Sequence, residues 1–375
     1  MTSSPSGLSG VSDWTSFAGV HITGFAELLD NARRNIWRSA FGRKDSVFRP
    51  QYAALSGKLC IVTGANAGVG LEVSRALYAH GAHVVMACRS KERGLDAMKK
   101  IQASEIAQGC SPGKVELETL DLGSMNSVRD FARRMRSQKE PLSFLCLNAG
   151  IMRMSPNTRG ATADGNEMHL QINHLGHWLL ANDLVANEWR NRARSKEPSN
   201  PCRVVFVTSN VHEAGKLRFD DIQGQKHYNP LLRYGDSKLM NVVSGAELQR
   251  RMDLRRQKDA PSGSWPRDVA CSCHPGILQT DLAMGFLQNT VVAAPLLVAL
   301  SNLLLGTRES GARAVLYGAT APAEEVAGRY CAAERARRSW REGVRTDIQA
   351  GAKLWSTSCK LAGVPDPGPT GLVEL

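Results

Sequence analysis

Leu59-Cys60-Ile61-Val62-Thr63 runs directly into Gly64-Ala65-Asn66-Ala67-Gly68-Val69-Gly70, and Val69 to His80 then repeats apolar residues at helical spacing. A short, wholly apolar run is the pattern of a strand covered on both faces. The glycines that follow are spaced G-x-x-x-G-x-G. Lacking Cβ atoms, such residues let the backbone turn tightly and come close to a pyrophosphate, which the N-terminus of the next helix then stabilises. Many αβ turns are glycine-rich, so the cluster alone says little. The strand before it and the helix after it are the context that favours a dinucleotide site.

Working outward, further β-rich runs cover His83 to Cys88, Val115 to Leu120, Leu142 to Leu147, Arg203 to Thr208 and Val269 to Cys273. Helical stretches such as Ser124 to Ser137 lie between them. Six strands alternating with helices predict an α/β fold, a single doubly wound domain of the Rossmann type with a mostly parallel sheet and helices on both faces. The 375-residue chain is long enough to bury a full core without disulfides or structural metal. Its nine cysteines are scattered without a C-x-x-C pair, which predicts reduced core thiols in an intracellular reducing compartment. The expected division is an N-terminal extension over 1–56, the nucleotide-binding domain over 57–332 with an apolar loop at 277–306, and a C-terminal helix and tail over 333–375.

The second strand sharpens the cofactor. Where an NAD site would place an Asp or Glu for the ribose 2′-hydroxyl, this chain has Cys88-Arg89-Ser90. A carboxylate would repel a 2′-phosphate, whereas the Arg89 guanidinium can pair with one, so NADP(H) is expected.

Tyr234-Gly235-Asp236-Ser237-Lys238 supplies candidate chemistry, because a Y-x-x-x-K spacing sets both side chains one turn apart on a helix face. A free tyrosine has a pKa near 10, and a nearby ammonium favours its phenolate, drawing it toward a useful acid/base range. Tyr and Lys four apart are common by chance. Here they accompany Thr208-Ser209 after the fifth strand, Asn148-Ala149-Gly150 after the fourth, Asn173-His174-Leu175-Gly176-His177 in a helix, and His274-Pro275-Gly276 after the sixth. Strand C-termini are where open α/β sheets bind ligands.

With these motifs the chain, over residues 57 to about 362, resembles the short-chain dehydrogenase/reductase family, and within it the retinol-dehydrogenase-like and WW-domain-oxidoreductase-like branch. The resemblance implies that Tyr234 is the general acid/base and that Lys238 binds the nicotinamide ribose and lowers the tyrosine's pKa. It implies that Ser209 polarises the substrate oxygen and that Asn173 holds a water linking Lys238 to solvent. It assigns Gly64, Asn66, Gly68, Val69, Gly70 and Arg89 to the phosphates, Asp121 and Leu122 to the adenine, Asn148, Ala149 and Gly150 to the cofactor's flank, and Pro275, Gly276 and Thr280 to the nicotinamide end. Leu147 stands where the family often has a first Asn, and Thr208 where it often has a first Ser; neither change removes an assigned group. The segment 210–233 looks like the branch's insertion, and its His212 fits loop ordering better than catalysis.

From Leu282 to Thr307 there is no charged residue. Beside the active site, such a stretch suits a lipophilic partner molecule and could dip into a bilayer; a buried helix or a homodimer contact would also produce it. The expected function is carbonyl/alcohol interconversion on a retinoid, polyprenoid or steroid-like molecule, against the alternative of a non-catalytic NADP-binding or redox-sensing protein. Epimerases and dehydratases of the family's extended branch usually carry a different glycine spacing. In the N-terminal extension, Phe17, Val20, Ile22, Phe25, Leu28, Leu29, Ile36 and Trp37 fit an amphipathic helix on an organelle membrane such as the endoplasmic reticulum, part of a targeting segment, or a helix packed on the domain. Cys271-Ser272-Cys273-His274 hints at zinc, but successive strand residues point to opposite faces and no second ligand pair appears, so no metal is expected.

The net charge is +12, and residues 191–260 hold half of it, with fourteen basic against eight acidic residues. There is no basic tail and no aromatic interleaving, so nucleic acid is not an expected partner. Arg190, Arg192, Arg194, Lys196, Arg250, Arg251, Arg255, Arg256 and Lys258 should lie at the strands' N-terminal edge, away from the cofactor, where they could complement helix dipoles or attract anionic headgroups.

Overall fold

The computed structural model describes residues 50–154, 158–194, 200–260, 265–277, 306–339 and 341–374. Thr280, the N-terminal pattern, Lys196 and nearly all of the apolar stretch lie outside those residues.

Seven strands form one sheet: β1 (Leu59–Thr63), β2 (His83–Cys88), β3 (Lys114–Thr119), β4 (Leu142–Leu147), β5 (Arg203–Val207), β6 (Val269–His274) and β7 (Tyr330–Ala332). Their order is β3-β2-β1-β4-β5-β6-β7 and every pairing is parallel. Connections run one way from β1 to β3 and the other way from β4 on, so a crevice opens between the C-terminal ends of β1 and β4. On one face α1 (Gly68–Ala79), α2 (Lys91–Gln102) and α6 (Arg308–Thr320) cover a core of Cys60, Val62, Val84, Met86, Phe144 and Val205. On the other, α3 (Met125–Arg136), α4 (Gly176–Arg194), the 30-residue α5 (Pro230–Asp259) and α7 (Ile348–Ala362) cover Ile61, Val85, Leu145, Val204 and Phe206.

The inner strands β1, β2, β4 and β6 are buried along their whole length, as their unbroken apolar runs predict. β3 is the edge strand and alternates Lys114, Glu116 and Glu118 with Val115 and Leu117; it begins one residue earlier than the apolar run suggests. β7 is an addition to the six expected strands, three residues long and defined by its pairing with β6. Helices start where side chains cap them: Ser124 accepts from Ser127 N–H ahead of α3, Asn229 from Leu232 N–H ahead of α5, and Asp347 from Gln349 and Ala350 N–H ahead of α7.

All nine cysteines are free and eight are buried; Cys110 is exposed and so corrects the expectation that every thiol sits in the core. Cys271 and Cys273 share the apolar face under α6. No described helix is long and apolar enough to cross a membrane.

Several of the basic residues over 190–258 have partners within the molecule. Arg192 forms a buried ion pair with Asp268 at 2.7 Å, and Asp268 also accepts from Trp189 Nε1 and Cys202 N–H. Arg250 and Arg251 both pair with Glu247, Arg255 pairs with Asp259, Arg190 pairs with Glu374, and Arg256 donates to the Trp265 carbonyl. Arg251 stacks over Trp355 of α7, 3.9 Å from the ring centre, and donates to the carbonyls of Gly368 and Gly371. Arg190, Arg250 and Arg251 fasten the C-terminal segment, which narrows the expectation that these arginines face lipid headgroups.

Candidate active site

The turn after β1 is organised by Thr63. Its hydroxyl accepts from Asn148 N–H at 2.9 Å and Ala149 N–H at 3.0 Å, tying the ends of β1 and β4 together across the crevice. The Asn148 amide donates to the Thr63 carbonyl at 2.9 Å. Gly64 and Gly68 have φ of +66° and +58°, the left-handed region that favours glycine. Gly70 is needed for a different reason: a Cβ there would lie 2.5 Å from Asn148 Nδ2 and 2.6 Å from the Gly64 carbonyl oxygen. Helix α1 has no side-chain cap at Ala67, so its first N–H groups are available to an anion. At the end of β2, Arg89 is exposed and has no ion-pair partner among the described residues. The Asp121 carboxylate accepts from Gly123 N–H at 2.8 Å, while the Leu122 side chain is buried against Gly176. An uncapped helix start, a glycine turn held back from the crevice and a free guanidinium beside it fit a phosphorylated dinucleotide.

The four expected catalytic residues do converge. Tyr234 and Lys238 lie on one face of α5, and both are buried. The Lys238 ammonium is 5.7 Å from the Tyr234 ring centre and donates to the Val207 carbonyl at the end of β5 at 3.1 Å. Thr208 Oγ1 donates to the Lys238 carbonyl at 2.8 Å, locking β5 to the helix. Ser209 follows at the strand's end and is within hydrogen-bonding reach of the Tyr234 hydroxyl. Backbone contact brings them together, since a Cβ on Gly215 would lie 2.5 Å from the Gly235 carbonyl oxygen. Asn173 sits in a π-helical turn, Leu170–Leu175, a distortion frequent at functional sites. Its side chain accepts from Ile151 N–H at 2.8 Å and donates to the Ile151 carbonyl and to Ser237 Oγ, both at 3.0 Å. Gly150 lies between Asn173 and Lys238: a Cβ there would be 3.2 Å from Asn173 Oδ1 and 3.3 Å from Lys238 Nζ. Pro275 and Gly276 follow β6, and Gly276 has φ +102°.

Electrostatics depart from expectation at one point. Burial pushes the Tyr234 phenol up to about 12 despite the Ser209 hydrogen bond, and pushes the Lys238 ammonium down to about 8. The lysine does not draw the phenol toward neutrality in the chain alone, because desolvation of two buried groups outweighs an attraction across 5.7 Å. Both therefore carry their protons at neutral pH, the state suited to giving a proton to a nascent alkoxide.

Residues that the sequence pattern did not single out complete the site. Glu167 and His169 are buried, with His169 Nδ1 donating to Glu167 at 2.8 Å and Nε2 accepting from Arg153 N–H at 3.0 Å. The His169 ring meets Tyr234 edge-on at 6.3 Å, and Glu167 also accepts from Leu170 N–H and the Tyr228 hydroxyl. Asp236, between Tyr234 and Lys238 in sequence, accepts from Lys216 N–H and pairs with Arg218, fastening the 215–229 segment to α5. His177 is buried and accepts from, or donates to, Thr63 Oγ1 at 2.9 Å, while its Nδ1 lies 3.3 Å from the Asn173 carbonyl. Burial pushes His177 down to about 3, so the ring is neutral; the carbonyl then assigns the proton to Nδ1, and the Thr63 hydroxyl donates to Nε2. The spacing Thr63…Asn173…His177 crosses 114 positions, and no local pattern signals it.

Comparison with known proteins agrees with this geometry. The family model for the short chain dehydrogenase matches residues 58–218. Retinol dehydrogenase 12 of Bos taurus is 35% identical over 311 residues, covering 83% of this chain and 88% of the relative. Polyprenol dehydrogenase of Danio rerio is 34% identical over 345 residues, covering 92% and 98%. Among solved structures, an uncharacterized protein of Mycobacterium paratuberculosis superposes with a TM-score of 0.60 at 28% identity, covering 84% of this chain and 96% of that one. A blue fluorescent protein from a metagenomic library, solved with NADPH, superposes with a TM-score of 0.52 at 21% identity, covering 76% and 98%, and so speaks to the fold. Relatives more than 30% identical over most of their length settle the family: the chain belongs to the short-chain dehydrogenase family of oxidoreductases, on its retinol-dehydrogenase-like branch.

Proposed function

We propose that this protein is an NADP(H)-dependent oxidoreductase that interconverts a carbonyl and an alcohol on a lipophilic molecule of retinoid, polyprenoid or steroid-like class. The observation that carries the reading is the buried Tyr234–Lys238 pair, with the Ser209 hydroxyl beside the phenol, at the crevice where the uncapped α1 and the unpaired Arg89 can hold a phosphorylated dinucleotide. The substrate class draws support from the relatives, whose names are retinol and polyprenol dehydrogenase, and from the uncharged stretch Leu282 to Thr307 that follows Pro275-Gly276.

When bound, the nicotinamide supplies or accepts the hydride. Ser209 donates to the substrate oxygen and polarises it. In the reductive direction Tyr234 gives its phenolic proton to that oxygen as the carbonyl becomes an alcohol, a downhill transfer because an alkoxide is far more basic than a phenolate of pKa about 12. The Lys238 ammonium stabilises the phenolate left behind. Asn173 keeps the Ile151 backbone and Ser237 in place around the pair. Arg89 and the first N–H groups of α1 hold the phosphates, with Asn66, Gly68 and Val69 forming the turn.

The test is the purified full chain with NADPH or NADH and a panel of all-trans-retinal, a polyprenal and a steroid ketone. Reduction of at least one member with NADPH favoured about tenfold or more, a difference of about 1.4 kcal/mol, supports the reading. Tight NADPH binding with no turnover of any member would move the assignment to a non-catalytic NADP-binding protein. The same sequence features support a peripheral place on an organelle membrane; liposome co-sedimentation that is equal with and without residues 1–50 would remove the N-terminal segment from that account.

A further inference from the structure

His212 is fully buried in the 3₁₀ turn Asn210–Ala214 that follows Ser209, and the sequence suggests nothing more for it than loop ordering. Its neighbours fix it completely. Nδ1 lies 2.6 Å from the Ser209 carbonyl oxygen, which also accepts the His212 backbone N–H at 3.0 Å. A carbonyl can only accept, so Nδ1 carries the proton. Nε2 lies 2.8 Å from the Ser339 hydroxyl, and Ser339 in turn accepts from Arg341 N–H at 2.9 Å. The Glu213 carboxylate is the further neighbour of Nε2 at 3.5 Å, the Tyr330 ring of β7 packs at 4.8 Å, His274 is close by, and Arg341 brings positive charge nearby. Burial, with the Arg341 guanidinium also nearby, pushes His212 down to about 4, in keeping with a neutral ring that accepts the Ser339 proton.

Apart from the Tyr234 hydroxyl within its reach, the Ser209 hydroxyl is held by its neighbours at long range only, with Asn210 Oδ1 at 3.3 Å and Val211 N–H at 3.4 Å. Its direction therefore depends on the backbone, and the carbonyl is the part of that backbone which His212 grips twice. We propose that His212 is a positioning residue: the chain Ser339 Oγ–H to His212 Nε2, and His212 Nδ1–H to the Ser209 carbonyl, aims the Ser209 hydroxyl at the substrate oxygen, so that the C-terminal segment carrying Ser339 helps to set the catalytic geometry. The hydrogen bond spans 127 positions and joins a catalytic strand end to a segment beyond β7. Chains of this kind polarise one another when buried, so each link strengthens the next.

The inference rests on the proposed role of Ser209, and two arms of the test separate the failures. The first needs no turnover: ¹⁵N-labelled-histidine NMR of the full chain with NADPH, assigned with His212→Asn. A protonated Nδ1 and an unprotonated Nε2 whose resonance shifts in Ser339→Ala are expected; an unprotonated Nδ1, or no shift, overturns the chain of hydrogen bonds whatever the substrate proves to be. The second uses any carbonyl that the enzyme reduces. Asn can reproduce the Nδ1 donor and Gln only the Nε2 position, so His212→Asn should keep kcat within about threefold while His212→Gln loses about tenfold or more, since displacing a catalytic group by an ångström costs up to about a hundredfold. NADPH affinity should hold in both. The His212→Gln loss should vanish in a Ser209→Ala background. Equal kcat for the two variants, or an undiminished loss in that background, would make His212 a structural residue only. An enzyme that reduces no carbonyl would overturn the proposed function, and the NMR arm would still decide the hydrogen bonds.

Discussion

The two halves of the sheet are held in different ways. The cofactor half, β1 to β3 with α1 and α2, is built from consecutive elements, and its crevice is set by backbone turns and by the Thr63 hydroxyl, whose partners Asn148, Ala149 and His177 lie across the crevice. The catalytic half, β4 to β7, is fastened by side chains that reach into the last forty residues: His174 to Ser358 at 3.1 Å, His212 to Ser339, Arg251 to the Gly368 and Gly371 carbonyls, and Val373 N–H to Asn182. Trp178 and Trp355 meet edge to face at 5.3 Å in the same seam. The difference teaches that the nucleotide turn needs its own backbone and one hydroxyl partnered across the crevice, whereas the Tyr234–Lys238 pair on a long helix sits among residues fastened by the last part of the chain.

The largest effect should come from breaking the seam. Arg251→Ala removes a buried guanidinium from Glu247, Trp355 and two carbonyls, and should cost about 3–5 kcal/mol in chemical denaturation, the usual cost of breaking a buried ion pair from one side. Activity of the protein that stays folded should change little. Thr63→Val keeps the shape of the cofactor half but leaves two backbone N–H groups and His177 Nε2 unpartnered; about 3 kcal/mol of stability and a clear loss of NADPH affinity by fluorescence titration are expected. If the two variants lowered NADPH affinity equally, the contrast between the halves would fail.

Smaller effects follow from charge. Arg89→Ala should reduce the NADPH over NADH preference in kcat/KM by about tenfold or more without altering the fold, since a charge-assisted pair is worth about 1.5–3 kcal/mol. Reductive kcat/KM should fall as pH rises through about 8, where Lys238 loses its proton, while Tyr234 remains protonated until far higher pH. A rate that rises through that range would contradict the lysine's role. Stability should fall in the other direction. Buried His174 and His212 sit at about 4 and His177 at about 3, below the unfolded value near 6.5, so the unfolded chain binds more protons below that value. Their contribution is full above about 6.5 and is lost as pH falls toward 4, by up to about 1.4 kcal/mol per histidine per pH unit. Denaturation midpoints measured from pH 7 to 5 should flatten in His212→Asn.

Legibility in the sequence follows the same division. β1, β2 and β4 are readable to the residue because strands buried on both faces must be apolar throughout, and the glycine turn is readable because its backbone admits no Cβ at Gly64 or Gly70. Tyr234 and Lys238 are readable from their one-turn spacing on a helix, and Ser209 and Asn173 from the motifs that accompany it. β7 is not, since three residues acquire strand geometry only by pairing with β6. Nor are Ser339, Ser358 or the pairing of the basic residues: a serine or an arginine carries no local sign of a partner more than a hundred positions away. The phenol's high pKa was also hidden, because spacing shows a lysine nearby and says nothing about how dry both groups are.

The measurement that bears most directly on the account is single-turnover oxidation of NADPH by the full chain with all-trans-retinal, compared with Tyr234→Phe. Loss of the proton donor should slow hydride transfer by about 10² to 10⁴-fold while NADPH binding stays unchanged. Equal rates in the two proteins would contradict Tyr234 as the general acid, and with it the central claim.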